Sequence, residues 1–289
     1  MRDGDRSPLE RGAPAAQTPG WRARLALHFA RVGERTLLAR REHEGPLVVQ
    51  KPLYPEGDGV CQCVVVHPPG GIAGGDVLEL DVEADAGTHV QLTTPGATKW
   101  YGSSGERATQ ELSFRVARGA VLEWIPQGAI VFDGAIAAQE FQVALDGDAA
   151  FIGWDTTCLG RTASSERFER GEWRQRLDIR RDNALIWSER MVLHANSPLL
   201  SSPVGLNGAP VFGTFVAMSA KLDDSLLSPC REHTPAQGDG AVTRLPGALV
   251  ARYRGRSGEA AQAYFAALWS TVRPHIAGRA AVAPRIWRT

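Results

Sequence analysis

The sequence lacks an excess of either charge. Its 289 residues contain 32 lysine and arginine residues and 32 aspartate and glutamate residues, so the formal net charge is zero. Nucleic-acid binding normally requires a broad basic surface, and this balance therefore argues against nucleic acid as a main partner. Only three of the cations are lysine, at positions 51, 99 and 221. The remaining cations are arginine, which is well suited to protein interfaces.

Long apolar runs are also missing from the sequence. No segment approaches the roughly 18 consecutive apolar residues of a membrane span, and the first residues contain no apolar signal segment. We therefore expect a cytoplasmic protein with no membrane partner.

Cysteine is scarce, with four residues at positions 61, 63, 158 and 230. In a cytoplasmic chain of this length they do not indicate a disulfide framework. Cys61 and Cys63 lie two apart on a predicted strand, so their side chains point to the same face. Two interpretations remain open: a soft metal site formed with His67, or two small residues buried in the core.

Motifs of common catalytic centres are absent as well. The sequence contains neither HExxH nor GxSxG, and its seven histidines are scattered along the chain. Paired carboxylates can carry out acid–base chemistry, but the sequence does not show that any two of them meet. These observations favour a protein that is not an enzyme.

What the sequence has in abundance is the alternation of apolar and polar residues. Trp21 to Phe29, Leu78 to Val82 and Trp173 to Ile179 place apolar side chains at every second position, which predicts half-buried strands. Turn residues separate such runs at intervals of roughly eight to sixteen residues, a spacing typical of all-β proteins. The sequence therefore predicts a mainly β fold.

Helical periodicity is confined to short parts of the chain. From Glu259 to Val272 apolar side chains recur at helical spacing, with Ser257 as the N-cap and Pro274 after the end. The segment from Lys221 to Leu227 is a candidate for a second, shorter helix.

The domain organisation follows from composition and from these patterns. Residues 1–20 have no periodicity and are predicted to be a disordered tail. Residues 21–289 show no internal repeat of fixed period, so we expect a single β domain with a C-terminal helix near residues 258–273.

The densest cluster of proline and glycine connects two predicted strands. It reads His67-Pro68-Pro69-Gly70-Gly71-Ile72-Ala73-Gly74-Gly75-Asp76. Proline fixes φ and glycine reaches backbone angles closed to other residues, so this segment is predicted to be a shaped loop that contains neither helix nor central strand. Its spacing matches neither a P-loop nor a dinucleotide-binding loop, which argues against nucleotide binding there.

This loop resembles the signature loop of the UreD family of urease accessory proteins, also called UreH. The resemblance covers most of the chain from about Leu25, weakens after Leu200, and departs at Gly102, where the family often has arginine. Further segments are similar to the family in the same order: Gly45-Pro46-Leu47, Gln50 to Glu56, Leu92 to Lys99, Leu122 to Gln127, Phe132-Asp133 and Leu159-Gly160-Arg161.

The resemblance implies a fold, a function and a set of partners. The implied fold is a right-handed, solenoid-like superhelix of many β-strands with about two α-helices. The implied function is that of a maturation factor for the nickel enzyme urease, which itself hydrolyses nothing. Its partners would be the urease apoprotein, a UreF-like accessory protein and, through it, a UreG-like GTPase. Nickel insertion would depend on GTP, with nickel handled transiently and no cofactor tightly bound.

For the route of the metal, we predict a water-filled internal passage lined by weakly liganding groups. Nickel accepts imidazole, carboxylate and water as ligands, and such groups are otherwise costly to bury. The glycines of the signature loop are expected to keep the passage open. The candidates are His67, Asp76, Asp133, Asp155 and Glu166 for nickel transit, with Lys99, Arg161 and the loop residues Pro68, Pro69, Gly70, Gly71, Gly74 and Gly75.

Two alternatives remain open beside this prediction. For each candidate residue the alternative is an ordinary turn or salt-bridge residue. The chain as a whole has the alternative of a β-rich, metal-dependent hydrolase that uses Cys61, Cys63 and His67. The absence of a recognisable nucleophile and of a dense set of ligands favours the maturation factor.

Overall fold

The computed structural model describes residues 20–288. The predicted tail at residues 1–20 therefore lies outside the described residues, apart from Gly20. Strand makes up 48% of the structure and helix 14%, which confirms the prediction of a mainly β fold.

The described residues form 18 strands and two α-helices, numbered here in chain order. The strands are β1 (Arg22–Val32), β2 (Arg35–Glu44), β3 (Val48–Val49), β4 (Cys61–Val66), β5 (Gly71–Ile72), β6 (Val77–Ala84), β7 (His89–Thr93), β8 (Thr98–Trp100), β9 (Ala108–Val116), β10 (Val121–Trp124), β11 (Ala129–Val131), β12 (Ile136–Leu145), β13 (Ala150–Leu159), β14 (Glu172–Arg181), β15 (Ala184–His194), β16 (Val211–Met218), β17 (Asp239–Leu245) and β18 (Ala248–Gly255). The helices are α1 (Leu227–Glu232) and α2 (Gly258–Ala277).

The strands form two large sheets. The outer sheet has the order β15-β14-β12-β9-β6-β1-β2, and the middle sheet has the order β17-β18-β16-β13-β10-β7-β4-β3. Along β6 of the outer sheet buried and less buried residues alternate, because only one face meets the core. All five residues of β7 in the middle sheet are buried, because both of its faces are covered.

The chain winds through these sheets in a repeating order. It passes from the middle sheet through a short strand into the outer sheet in the successions β4-β5-β6, β7-β8-β9 and β10-β11-β12, and β13 and β14 continue the pattern. Strands of successive turns are parallel and in register, so that Leu80 pairs with Leu112, Leu112 with Phe141 and Phe141 with Leu177. The result is a solenoid-like stack of about four turns, which confirms the predicted fold class.

Two apolar layers hold the architecture together. The solenoid interior lies between the two sheets and contains the inward side chains of the outer sheet, such as Leu80 and Phe114. The helix layer lies between the middle sheet and α2 and contains Trp154, Phe265 and Leu268. The middle sheet is thus enclosed between the outer sheet and a helix.

Helix α2 is longer than the sequence predicted. It begins after Ser257, whose side chain accepts a hydrogen bond from the Ala260 N–H at 3.1 Å, as predicted. The prediction that Pro274 follows the helix was wrong, because the helix continues to Ala277 and ends at Gly278 with φ of 67°. A proline this close to the end removes one N–H, and the burial of Ile276 maintains the last turn.

One further local prediction needs correction. The short helix predicted at Lys221 to Leu227 instead runs over α1, after a 3-10 turn that Asp223 caps. The signature loop contains neither helix nor central strand, as predicted, although Gly71 and Ile72 form the short strand β5, which pairs in parallel with β8 alone. A Cβ at Gly71 would lie 2.4 Å from the ring of Tyr101, so only glycine lets that ring pack against the strand.

Candidate functional site

A row of three glutamines crosses the solenoid interior. Gln110, Gln139 and Gln175 are register partners on β9, β12 and β14. The Gln139 Nε2 donates to Oε1 of Gln110 at 3.0 Å, and the Gln175 Nε2 donates to Oε1 of Gln139 at 3.1 Å. These bonds satisfy amides that would otherwise be costly inside a core. They give one wall of the interior a continuous polar strip across three turns.

The polar strip borders a cavity of about 330 Å³, here called the inner chamber. Its lining includes Gln110 and Gln139 from the outer sheet, Asp155 from the middle sheet, and His67 and Lys99 from the connecting segments. The inner chamber therefore gathers three of the titratable residues predicted from sequence.

His67 presents a free imidazole nitrogen within this part of the structure. Its Nδ1 is buried and has no hydrogen-bond partner. Burial lowers the pKa of His67, while the charge of Asp76 opposes the shift. The neutral imidazole is the form that binds metal ions and accepts hydrogen bonds.

A second cavity of about 610 Å³, here called the outer chamber, lies where β15 approaches β16 and β18. Its lining includes Asp155, Gln175, Glu189 and Arg252. A small cavity of about 40 Å³ borders Gln139, Gln175, Asp155 and Glu189 as well. Asp155 thus lines all three cavities, which form one row along the polar strip.

The charged centre of this row joins the two sheets. Asp155, Thr214 and Arg252 are register partners on β13, β16 and β18 of the middle sheet. Glu189 reaches them from β15 of the outer sheet. Its Oε1 accepts hydrogen bonds from the guanidinium of Arg252 and, at 3.2 Å, from the hydroxyl of Thr214. Arg252 Nη1 also donates to Thr214 Oγ1 at 3.0 Å.

The two carboxylates of this centre are incompletely satisfied. The Oε2 atom of Glu189 is buried and has no hydrogen-bond partner. Burial, together with the negative charge of Glu189, raises the pKa of Asp155 from 3.8 to about 7. A positive charge placed between the two side chains would relieve both effects.

Asp133, Glu166 and Arg161 form a separate cluster. Asp133 Oδ2 accepts from Arg170 at 2.8 Å, and Glu166 Oε2 accepts from Arg161 Nε at 2.6 Å. Burial opposes ionisation of both carboxyls, but the hydrogen bonds from arginines and backbone N–H groups outweigh it and lower the pKa of each. None of the three residues lines the inner or the outer chamber.

Asp76 shapes the signature loop. Its Oδ1 accepts from the Trp21 N–H at 2.7 Å and its Oδ2 from the Ala73 N–H at 2.9 Å. Asp76 itself is not part of the lining of either chamber. The carboxylate therefore fixes the turn that leads into β6.

The glycines of the loop divide into two pairs. Gly70 and Gly71 line the inner chamber. A Cβ at Gly74 would lie 2.3 Å from Ser103 Oγ, and Gly75 has φ of 90°. The first pair borders the cavity, whereas the second is required by close packing and by the backbone turn. Pro68 and Pro69 precede both pairs in the link between β4 and β5.

Cys61 and Cys63 point the same way, as predicted. Their sulfur atoms are 4.0 Å apart, and both residues are buried in the solenoid interior. Among residues 20–288 no group of three or more histidine, cysteine, aspartate and glutamate residues could hold a metal ion. Of the two interpretations left open for these cysteines, their burial in the hydrophobic core favours that of core residues.

The sequence motifs did not indicate Glu189, Arg252 or the glutamine row. A signal was present, because each glutamine occupies the inward phase of its strand, as Gln139 does between Ala137 and Phe141. Glu189 likewise shares the inward phase with Met191. A polar residue at a strand position where the alternation predicts an inward apolar residue indicates such a site.

The fold and the site together define a solenoid-like β protein with a row of cavities that share Asp155 and border the glutamine row. The model of the UreD urease accessory protein family matches residues 22–288. The chain therefore belongs to the UreD urease accessory protein family.

Curated relatives agree with this assignment over nearly the whole chain. The Urease accessory protein UreD of Azoarcus sp. (strain BH72) is 52% identical over 279 residues, which cover 96% of this chain and 98% of the relative. The protein of the same name from Dechloromonas aromatica (strain RCB) is 51% identical over 276 residues, which cover 94% and 96%. That of Nitrosococcus oceani is 47% identical over 281 residues, which cover 96% and 95%.

The family assignment confirms the resemblance found in the sequence. One further observation concerns membranes: no helix within residues 20–288 is both long and apolar enough to cross a bilayer.

Proposed function

We propose that this protein is a urease maturation factor that conducts nickel towards the urease apoprotein and catalyses no reaction itself. Its relatives carry the name of urease accessory proteins. The proposed partners in the cytoplasm are the urease apoprotein, a UreF-like protein and, through it, a UreG-like GTPase, whose GTP hydrolysis would drive insertion. Nickel is the cargo of this protein and not a resident cofactor.

The observation that carries the proposal is the row of cavities that share Asp155. A solenoid interior is normally filled by apolar side chains, and each buried polar group has a cost. Here three successive turns each place a glutamine side chain in the interior, where the glutamines bond to one another. A polar strip beside open volume can keep a metal ion hydrated while it moves.

The ligand chemistry along the row is weak, as transit requires. His67 offers one unpartnered nitrogen. Further along, Asp155 and Glu189 offer carboxylate oxygens. Nickel accepts imidazole, carboxylate and water, but tight sites surround an ion with a full set of protein ligands. These residues can therefore lower the barrier for a hydrated ion without retaining it.

The remaining candidates support the passage indirectly. Asp76 holds the turn of the signature loop, beside the glycines that border the inner chamber. Asp133, Glu166 and Arg161 order the segment between β13 and β14. We assign these residues to the shape of the protein and the liganding role to His67, Asp155 and Glu189.

The first test measures nickel in urease. Urease purified from a host strain that lacks this protein is expected to contain little nickel, and a normal content would refute the maturation role. A strain that expresses the wild-type chain from a plasmid is the control.

The second test concerns the route. The Asp155→Ala variant is expected to assemble with its partners while urease activation falls at least several-fold. Asp146→Ala is the matched control, because Asp146 is an exposed turn residue outside both chambers. Normal activation by an Asp155→Ala complex that assembles normally would exclude this route but leave the maturation role intact.

A further inference from the structure

We propose that Arg252 is a displaceable counter-ion: it neutralises Glu189 while the row of cavities is empty and leaves Glu189 when a divalent cation occupies the Asp155–Glu189 pair. This inference rests on the proposed passage and deepens it by naming the residue that prevents the cation from being retained.

The contacts of Arg252 give the first argument. A single guanidinium nitrogen, Nη1, makes both of its bonds in this centre, one to Glu189 Oε1 and one to Thr214 Oγ1. The side chain of Arg252 is 51% exposed, and that of Glu189 is 25% exposed. Arg252 can therefore swing into the outer chamber and be solvated there, so its release leaves no buried unpaired cation.

The charge of the centre gives the second argument. Asp155, Glu189 and Asp239 border the outer chamber, and within residues 20–288 Arg252 pairs with Glu189 while Arg254 pairs with Asp239. Arg252 binds only Oε1 of Glu189, and the Oε2 atom has no partner. A divalent cation brings one more positive charge than arginine and can interact with Glu189 and Asp155 together. Replacing Arg252 by the divalent cation is therefore favourable for Asp155 and Glu189, whereas Arg252 loses its ion pair.

The same exchange explains release. An ion held by two carboxylates in a partly buried centre would leave slowly, because the remaining charges would repel each other in a low-dielectric environment. As the ion departs, Arg252 returns and neutralises the negative charge of Glu189. Arg252 thus lowers the affinity of the centre for the cation and keeps the passage conductive.

The experiment measures Ni²⁺ binding by equilibrium dialysis of the purified full chain at constant ionic strength. Without Arg252 the dissociation constant is expected to fall about tenfold, because a nearby positive charge no longer opposes the ion. Arg252→Gln and Arg252→Met are both measured, so that one poorly folded variant does not decide the result. Arg252→Lys, which keeps the charge, is expected to remain within about twofold of the wild type.

Two controls test whether the gain belongs to this centre. Arg254→Gln removes a positive charge from the same chamber, but Arg254 is paired with the exposed Asp239. Its expected gain in affinity is below about twofold, since that pair lies near solvent. Adding Asp155→Asn and Glu189→Gln to Arg252→Gln is expected to abolish the gain.

Several outcomes would overturn the counter-ion role. They are an unchanged dissociation constant in both Arg252→Gln and Arg252→Met, an equal gain in Arg254→Gln, or a gain that survives the loss of both carboxylates. The proposed passage is tested separately by the activation assay with Asp155→Ala. If Asp155→Ala activates urease normally while the Arg252 variants bind Ni²⁺ about tenfold more tightly, the centre is a cation site that lies outside the route.

Discussion

The solenoid interior and the helix layer both bury charged groups, but they treat them differently. In the helix layer Glu123 accepts from His89 Nε2 at 2.5 Å, from Trp269 Nε1 at 2.6 Å and from Arg273 Nε at 3.0 Å. Arg273 binds Glu56 as well, with two bonds of 2.8 Å. In the solenoid interior Glu189 retains an unpartnered oxygen.

The two regions also shift pKa values in opposite directions. Burial opposes ionisation of Glu123, but the hydrogen bond from His89 and the charges of His89 and Arg273 outweigh it, and the pKa of Glu123 is lowered. Burial dominates at Asp155 and raises its pKa to about 7. The comparison shows two uses of buried charge. The network around Glu123, in which the carboxylate has several partners, holds α2 against the middle sheet, whereas the centre at Glu189 keeps an unpartnered carboxylate oxygen with which a cation can interact.

The largest expected effect comes from breaking the saturated network. Arg273→Leu should lower the free energy of unfolding by about 3–5 kcal/mol, because it leaves Glu123 and Glu56 buried without their cation. Denaturation in urea measures this loss. The matched control is Arg115→Leu, whose pair with Glu83 is exposed and should contribute less than about 1 kcal/mol. Equal losses in the two variants would contradict the distinction between the regions.

A smaller, pH-dependent effect is expected at Asp155. Its folded-state pKa of about 7 exceeds 3.8, so between these values the folded state keeps a proton that the unfolded state has lost. Asp155 therefore contributes stability below about pH 4 that is lost as the pH rises through about 7. The negative charge of Glu189 adds to the effect of burial on this pKa, and Arg252 is paired with Glu189 in the same centre.

The measurement is the difference in unfolding free energy between Asp155→Asn and the wild type. Between pH 5 and pH 8 this difference should shift by about 2 kcal/mol in favour of the variant. Glu123 contributes with the opposite sign, since its lowered pKa gives stability that is lost on acidification, and it cancels in the difference. A difference that stays constant with pH would show that Asp155 is ionised throughout.

The smallest expected effect on stability comes from the glutamine row. Gln139→Leu removes two amide hydrogen bonds, but the groups left behind border open volume where water can replace them. The unfolding free energy should change by less than about 1 kcal/mol, while urease activation falls several-fold because the polar strip is interrupted.

Gln142→Leu is the matched control for this variant. Gln142 is an exposed residue on the opposite face of the same strand, β12. Activation should remain normal in this control. Equal activation by Gln139→Leu and Gln142→Leu would show that the strip is only structural.

Parts of the candidate site could be predicted from the sequence. His67 and Asp155 were singled out, and both border the inner chamber. Asp133 and Glu166 were singled out for the same role but form a separate charged cluster. Acidic residues within or just after predicted strands look alike in the sequence, and only their neighbours in space distinguish a cavity wall from a surface turn.

Glu189 and Arg252 could not be assigned from the sequence for a related reason. Arg252 is 63 positions from Glu189 along the chain and lies on a different sheet. The contact between Glu189 and Arg252 depends on the distance between the two sheets and on the register of β16 with β18. Register is set by long-range pairing and packing, which period-two alternation does not encode.

The sequence by itself determined the mainly β class, the inward and outward faces of the strands that alternate, the cap of α2 and the family, because these depend on local periodicity and on ordered motifs. Only the tertiary structure decided that α2 covers the middle sheet, that the glutamines align across three turns, and that Asp155, Glu189 and Arg252 share one centre. The physical reason is that a local pattern fixes which way a side chain points. Which groups it meets is fixed by the register of strands that lie tens of residues apart, parallel for the glutamine row and antiparallel for Asp155, Thr214 and Arg252.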